Sequence, residues 1–305
     1  MPKADFVTVD VFTSERFAGN PLAVVPDARG LTGEEMQKIA AEFGYAESTF
    51  VLPPEDPANS ARVRIFTPTA EIPFAGHPNV GTAFVLGSRS ELFGRPVGEK
   101  LRFEEIAGLV EIELLREAGN VAGATIRAPR PLELGDAVAP ELVARCASIE
   151  PDQIRTAGHQ PVVASVGLAF AVTELESLEA LAAARPNISV FHEAASRHPS
   201  LGGDFSLFLY VRDPANRWSI RARMFAPLDN VIEDPATGSA SAALGAFLVT
   251  NIPEADAKVA ITVEQGVEMG RRSLIQLDVM KAGGKVTDVR ITGRCVAVMR
   301  GSIEV

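Results

Sequence analysis

Arg62-Val-Arg-Ile-Phe-Thr-Pro68 and Arg221-Ala-Arg-Met-Phe-Ala-Pro227 are the same phrase written twice, 221 − 62 = 159 residues apart. A second phrase repeats behind the first. His77-Pro-Asn-Val-Gly-Thr-Ala83 returns as Asp234-Pro-Ala-Thr-Gly-Ser-Ala240, at an offset of 234 − 77 = 157. The tails echo too: "REAGNV" (Arg116–Val121) and "MKAGGKV" (Met280–Val286) both read as tight turns between alternating strands. Three blocks in one order mark an internal duplication. The two halves therefore share one fold, related by a pseudo-two-fold axis.

Each half spells out the same elements. RVRIF and RARMF alternate basic and apolar residues with period 2, the pattern of a half-exposed strand. Behind each lies a loop, then a helix of small apolar residues, VGTAFVL in one half and GSASAALGAFLV in the other. The second has almost no polar face, so it is a buried helix. Strand-rich tails follow at about 100–127 and 258–300. Thr32-Gly-Glu-Glu35 is a capping box that opens a helix to about Phe43. "RAPRPLELG" (Arg127–Gly135) is Pro-rich and reads as a linker. The order is rich in strands with scattered helices, not βαβαβα, which gives an α+β class: twice, a sheet wrapped round a buried helix.

Bulk properties agree. The 305 residues suffice for one α/β barrel or for two domains, and 47% hydrophobic with 22% charged residues describes a chain able to bury a large core. A net charge of −10 argues against nucleic acid, which needs a basic stripe, and against an anionic membrane surface. A small anion remains compatible. No apolar run reaches the ~18 residues of a spanning helix, and MPKADFVTVDVF lacks the apolar core of a signal peptide, so a cytoplasmic location is expected. Cys146 and Cys295 form no CxxC and fit a reducing compartment. The four His fall in no HxxxH or HExxH, and no metal-ligand cluster is visible.

The repeated X-Pro step locates the chemistry. Pro is favoured at the first helical position, and the residue before it suits an N-cap. That expectation makes Asp234 a standard cap and puts His77 in the same place in the first half, both beside free N–H groups and the positive end of a helix dipole. Gly76, Gly81 and Gly238 would let backbone amides approach a ligand, and Thr82 and Ser239 are matched hydroxyls. Two such helix starts facing one cleft would bind a carboxylate and steady charge developing on a carbonyl. An Asp before Pro is ordinarily a cap, and a lone His is ordinarily structural. A pure cap would tolerate one residue type in both halves, however, whereas a carboxylate and an imidazole suit different tasks. Glu47 in "FGYAESTFVLP" is an acid between Tyr45 and Phe50, where burial would raise its pKa toward that of a useful base; otherwise it is an exposed turn residue. Asn20 in "RFAGNPLAVV" either binds substrate or makes a turn.

Taken together, "FAGNPLAVV", "AESTFV", "FTPTAEIPFAGHPNVGTA", "EDPATGSASAAL" and "TGRCVAVMRGSI" resemble the phenazine-biosynthesis (PhzF-like) family over essentially the whole chain. The resemblance implies a diaminopimelate epimerase-like fold: two pseudo-symmetric lobes, each a curled, mostly antiparallel sheet around a central helix. The lobes would be 1–128, with a possible final strand 294–305, and 129–293, with the active-site cleft between them. It also implies a cofactor-independent isomerase, an epimerase or tautomerase, acting on a small carboxylate-bearing substrate. Glu47, His77 and Asp234 would be catalytic, and Asn20, Gly76, Gly238 and Ser239 would bind substrate. The epimerases of this fold use paired cysteines, and neither Cys146 nor Cys295 lies in a matched loop. Many relatives have Asn-Leu-Ser where this chain has Gly44-Tyr45-Ala46, and Thr where it has Asn79, which leaves the substrate open. A non-catalytic binding or interaction protein is the alternative of another class. A Ser hydrolase built on Ser239, His77 and Asp234 lacks the GxSxG elbow. GHPNVG is not GxGxxG, which disfavours a dehydrogenase. A homodimer is compatible with the sequence.

Overall fold

The computed structural model describes residues 3–199 and 204–305. The chain divides into two compact units. One comprises Met1–Arg127 with Thr292–Val305, the other Ala128–Ile291.

The first unit contains β1 (Lys3–Val11), β2 (Asn20–Val25), α1 (Gly33–Phe43), β3 (Glu47–Leu52), β4 (Ala61–Phe66), β5 (Glu71–Ile72), α2 (Gly76–Gly87), β6 (Glu91–Leu92), β7 (Arg95–Pro96), β8 (Lys100–Glu105), β9 (Gly108–Glu117) and β10 (Asn120–Arg127). The terminal strand, Lys285–Glu304, supplies its last member. Pairing runs β1–β2 antiparallel, β2–β3 parallel, β3–β4 antiparallel, β4–β8 parallel, then β8–β9 and β9–β10 antiparallel. β10 pairs with the terminal strand, which pairs antiparallel with β1 from Cys295 to Glu304. The strands β1, β2, β3, β4, β8, β9 and β10 and the terminal strand therefore close into a ring. Helix α2 packs against β1, β2, β3, β9 and β10 inside this ring, and residues 77–83 are all buried.

Side-chain parity on β3 decides what faces the helix. Successive residues of a strand point to opposite faces. Phe50 and Leu52 pack with Met36, Ile39 and Ala40 of α1 on the outer face. Thr49 faces the other way, its hydroxyl 2.7 Å from that of Thr82 on α2. Glu47 shares the parity of Thr49 and so is carried toward α2. Helix α1 itself begins at the expected capping box, with Thr32 and Glu35 bonded reciprocally, and ends on Gly44 in the left-handed conformation.

The second unit contains β11 (Glu133–Ala137), α3 (Pro140–Ala147), β12 (Val162–Ser165), β13 (Ala169–Glu174), α4 (Leu178–Ala183), α5 (Ile188–Arg197), β14 (Leu207–Arg212), β15 (Ser219–Ala226), β16 (Val231–Asp234), α6 (Gly238–Thr250), β17 (Ala257–Gln265) and β18 (Ser273–Ala282). Its pairings repeat those of the first unit in order: β12–β13 antiparallel, β13–β14 parallel, β14–β15 antiparallel, β15–β17 parallel, β17–β18 antiparallel. The duplicated strands RVRIF and RARMF are β4 and β15. Each pairs antiparallel with a short strand, β5 or β16, that leads toward the buried helix. Helix α6 is buried from Ala240 to Val249, against β12, β13, β17 and β18. An outer core forms where α3, α4 and α5 cover the sheet, around Leu181, Phe191 and Phe225. The stretch expected to be a linker departs from that reading, because Glu133 and Leu134 already pair with β12. The two expected tight turns form at Ala118–Gly119 and Gly283–Gly284, all four with positive φ.

Gly81 is not a ligand-facing residue. A Cβ there would sit 2.6 Å from Leu22 Cδ2 and 2.8 Å from Val11 Cγ2, so the glycine lets α2 approach β1 and β2 closely. Thr82, likewise, is wholly buried and spends its hydroxyl on Thr49. Gly81→Ala gains about 1 kcal/mol of helix propensity but overpacks a rigid contact at a cost of about 1–3 kcal/mol. The variant is expected to unfold at lower denaturant concentration than the wild type, as read by the urea midpoint.

Candidate functional site

In the first unit the sequence-predicted residues Asn20, Glu47 and His77 come together with Gly76 beside them. Asn20 opens β2, Glu47 opens β3, and these two parallel strands lie side by side with Leu22 opposite Glu47. Gly76 and His77 form the first turn of α2. His77 is 6% exposed. Its Nδ1 is 3.3 Å from the Asn20 amide nitrogen. Its Nε2 is 3.5 Å from Glu47 Oε2, a long approach to a buried oxygen of a side chain that as a whole keeps 18% of its exposure. Burial alone pulls the imidazole down to about 3, so the ring is neutral through the physiological range and the contact is not a salt bridge. With the Asn20 N–H donating to Nδ1, the ring carries its one proton on Nε2 and turns it toward Glu47.

In the second unit, Asp234 ends β16, and the predicted Gly238 and Ser239 open α6. Neither His77 nor Asp234 is the N-cap that the X-Pro pattern predicts. The N-cap of α6 is Thr237, three residues beyond Asp234, and that of α2 is Ala75, two before His77. Pro78 therefore stands third in its helix, where its missing N–H is still one of the four with no intrahelical partner. Pro235 lies outside its helix altogether. Asp234 is instead held in a turn. The Thr237 hydroxyl donates to Asp234 Oδ2 in a short bond. Gln265, fully buried at the end of β17, donates from Nε2 to the Asp234 carbonyl (2.7 Å) and to Thr237 Oγ1 (3.0 Å), and accepts the Thr237 N–H (3.0 Å). Sequence reasoning missed Thr237 and Gln265; a polar residue ending a strand in the matched tail was the available signal.

Neither thiol suits proton transfer at neutral pH. Burial pushes Cys146 up to about 12 and raises Cys295 further. Cys295 also spends its S–H on the Val80 carbonyl. No helix among the described residues is long and apolar enough to cross a membrane.

Comparison with known proteins identifies the family. The sequence model of the family described as phenazine biosynthesis-like protein matches residues 9–301. The chain belongs to that family. It is 37% identical to an uncharacterized isomerase of Mesorhizobium japonicum over 99% of each chain. It is 36% identical to trans-2,3-dihydro-3-hydroxyanthranilate isomerase of Pseudomonas aeruginosa over 97% of this chain and 98% of the relative. Among solved structures, a phenazine biosynthesis protein of Bacillus anthracis superposes with a TM-score of 0.88 at 27% identity over 100% of each chain. The chain is thus an enzyme of an isomerase family.

The buried ring has a pH signature. Folding lowers the His77 pKa, so in the window from 6.5 down to about 3 the unfolded chain takes up a proton that the folded chain refuses. Stability must fall with acidification across that window, by up to about 1.4 kcal/mol per pH unit from this group. Unfolding midpoints of wild type and His77→Gln between pH 7 and 3.5 are expected to diverge, with the wild type falling more steeply.

Proposed function

We propose that the chain is a cofactor-independent isomerase that moves a proton within a small carboxylate-bearing substrate, with Glu47 as the acid–base group. The observation that carries this reading is the neutral, buried His77, whose two ring nitrogens face the Asn20 amide and the Glu47 carboxylate. A carboxylate at the start of a strand, partly exposed and next to a fixed N–H donor, can take a C–H proton adjacent to an unsaturated or carbonyl carbon. The electron pair moves along the conjugated system, and the same carboxyl returns the proton at a second carbon. No oxidant or reductant enters the balance. His77, neutral because it is desolvated, can donate from Nε2 without becoming a competing charged acid. This matches the division of labour in which one group transfers the proton and another fixes its orientation.

Asp234 is proposed as a further catalytic group, and Asn20, Gly76, Gly238 and Ser239 as substrate contacts. The two helix starts offer N–H groups that suit a carboxylate. The relatives named trans-2,3-dihydro-3-hydroxyanthranilate isomerase make that cyclic amino acid the first substrate to test here.

The test is conversion of trans-2,3-dihydro-3-hydroxyanthranilate, and of a panel of cyclic and amino carboxylic acids, in deuterated water, following product and deuterium together. Glu47→Gln keeps the size and hydrogen bonding of the side chain but cannot accept a proton. It is expected to fold like wild type and lose about 10²-fold or more in turnover on whichever acid the wild type converts. Undiminished turnover in Glu47→Gln would move the proton transfer to another group.

A further inference from the structure

The duplication permits a residue-by-residue comparison of the two buried-helix corners. The parallel pairs β4–β8 and β15–β17 put Arg62 opposite Glu104 and Arg221 opposite Glu264. Arg62 and Arg221 are the matched first residues of the repeated phrase, so Glu104 matches Glu264, and the next residues, Glu105 and Gln265, match each other. Each ends its strand. Gln265 fastens the turn before α6 through its three bonds to Asp234 and Thr237. Glu105 sits at the corresponding corner of α2. Both its carboxyl oxygens are shut off from solvent without a well-formed hydrogen bond, and the Asn79 side chain faces them. Asn79 Nδ2 donates to the carbonyl of Ala75, the N-cap of the helix that carries His77. The turn that follows Glu105 adds a second fastening, Ala107 N–H to the Pro73 carbonyl at 3.1 Å.

We propose that Glu105 is the positioning residue for His77, its buried carboxyl bracing Asn79 and the first turn of α2 as the counterpart of the Gln265 amide in the second unit. This inference deepens the reading of Glu47 and His77 given above and rests on it for its catalytic meaning.

Charges around Glu105 leave it unneutralised. On β4, Arg62 is paired with Glu55 (2.6 Å) and Arg64 with Glu71 of β5 (2.6 Å). On β8 and β9, Arg102 leans toward Glu111 (3.7 Å), while Glu104 accepts the N–H groups of Glu55 and Asp56 and the Asn59 amide. On α2, His77 is uncharged. With no cation among the described residues committed to it, burial pushes the Glu105 carboxyl up to about 8. A carboxyl raised this way contributes its stability in full below about 4.5 and loses it as pH rises through about 8. The proton that keeps Glu105 equivalent to a glutamine is therefore lost within an accessible range.

The experiment needs no substrate, so its failure is separate from failure of the isomerase reading. The imidazole ¹H and ¹⁵N resonances of His77, assigned by their absence in His77→Gln, are followed from pH 6 to 10. In this range the ring itself does not titrate. In the wild type they are expected to shift with one midpoint near pH 8. In Glu105→Gln they are expected to stay constant at the low-pH wild-type positions. Asn79→Ala, which cuts the link, is expected to leave His77 blind to pH over the same range while Glu105 remains. A flat wild-type profile, or a shift that survives in Glu105→Gln, would overturn the proposal.

Discussion

The molecule is organised by one constraint, the enclosure of a nearly all-apolar helix by a sheet, met twice. Neither α2 nor α6 has a polar face to give to water, so each must be surrounded on all sides. Surrounding a helix requires close approach, which is why Gly81 touches Leu22 and Val11 and why Gly245 would meet Leu277 Cδ1 at 2.8 Å if it carried a Cβ. The same enclosure sets the charge state of His77. A His in the first turn of such a helix loses its hydration and is held neutral. A surface helix with the same His would leave it near its ordinary value, able to switch charge in the range where the enzyme must work.

The short strands feeding the two corners are braced alike. Arg64 on β4 bonds Glu71 of β5 with two N–H groups (2.7 and 2.6 Å), and Arg223 on β15 does the same to Glu233 of β16 (2.7 and 2.8 Å). Arg64 and Arg223 are the matched second arginines of the repeated phrase. Planar guanidinium forks fix orientation as well as charge. The second brace is the more committed, because Arg223 is 2% exposed and also donates to the Leu181 and Ala184 carbonyls. Removing one partner from so buried a pair ordinarily costs about 3–5 kcal/mol, mostly for the charge left behind. What the pair secures is position: Glu233 is the residue immediately before Asp234.

Much of this was legible in the sequence because it is periodic or repeated. The alternation in RVRIF and RARMF gave the strands, the apolar run of α6 its burial, and the reciprocal Thr32 and Glu35 the start of α1. Glu47 and His77 were found as an acid beside an apolar strand and an imidazole at a repeated X-Pro step. Gln265, which fastens Asp234 and Thr237, and its match Glu105 were hidden, since they stand far along the chain and reach their corners only through the parallel pairings β4–β8 and β15–β17. The ligand-facing role given to Gly81 failed for a related reason, and the Thr82 hydroxyl is taken up by Thr49. A glycine and a hydroxyl near a site look alike in sequence whether they serve a ligand or the packing of a helix on a sheet.

The misreading of His77 and Asp234 as equivalent caps has a single-residue origin. In the duplicated segment Val80 stands where the second copy has Thr237. Val80 is apolar and wholly buried, so the first copy can continue the helix back through His77 to Gly76. Thr237 has a hydroxyl that bonds both the Asp234 carboxylate and the Gln265 amide. Local side-chain bonds of this kind compete with helix formation, and here they hold residues 234–237 as a turn, so that α6 starts only at Gly238. One copy thereby sinks His77 into a helix, where desolvation fixes a neutral imidazole. The other fastens its side chain in a polar turn built for an acid. Two copies of one ancestral corner thus supply different electrostatics without any change in the surrounding strand order, and the difference follows from the side-chain bonds that the first four residues of the motif can make.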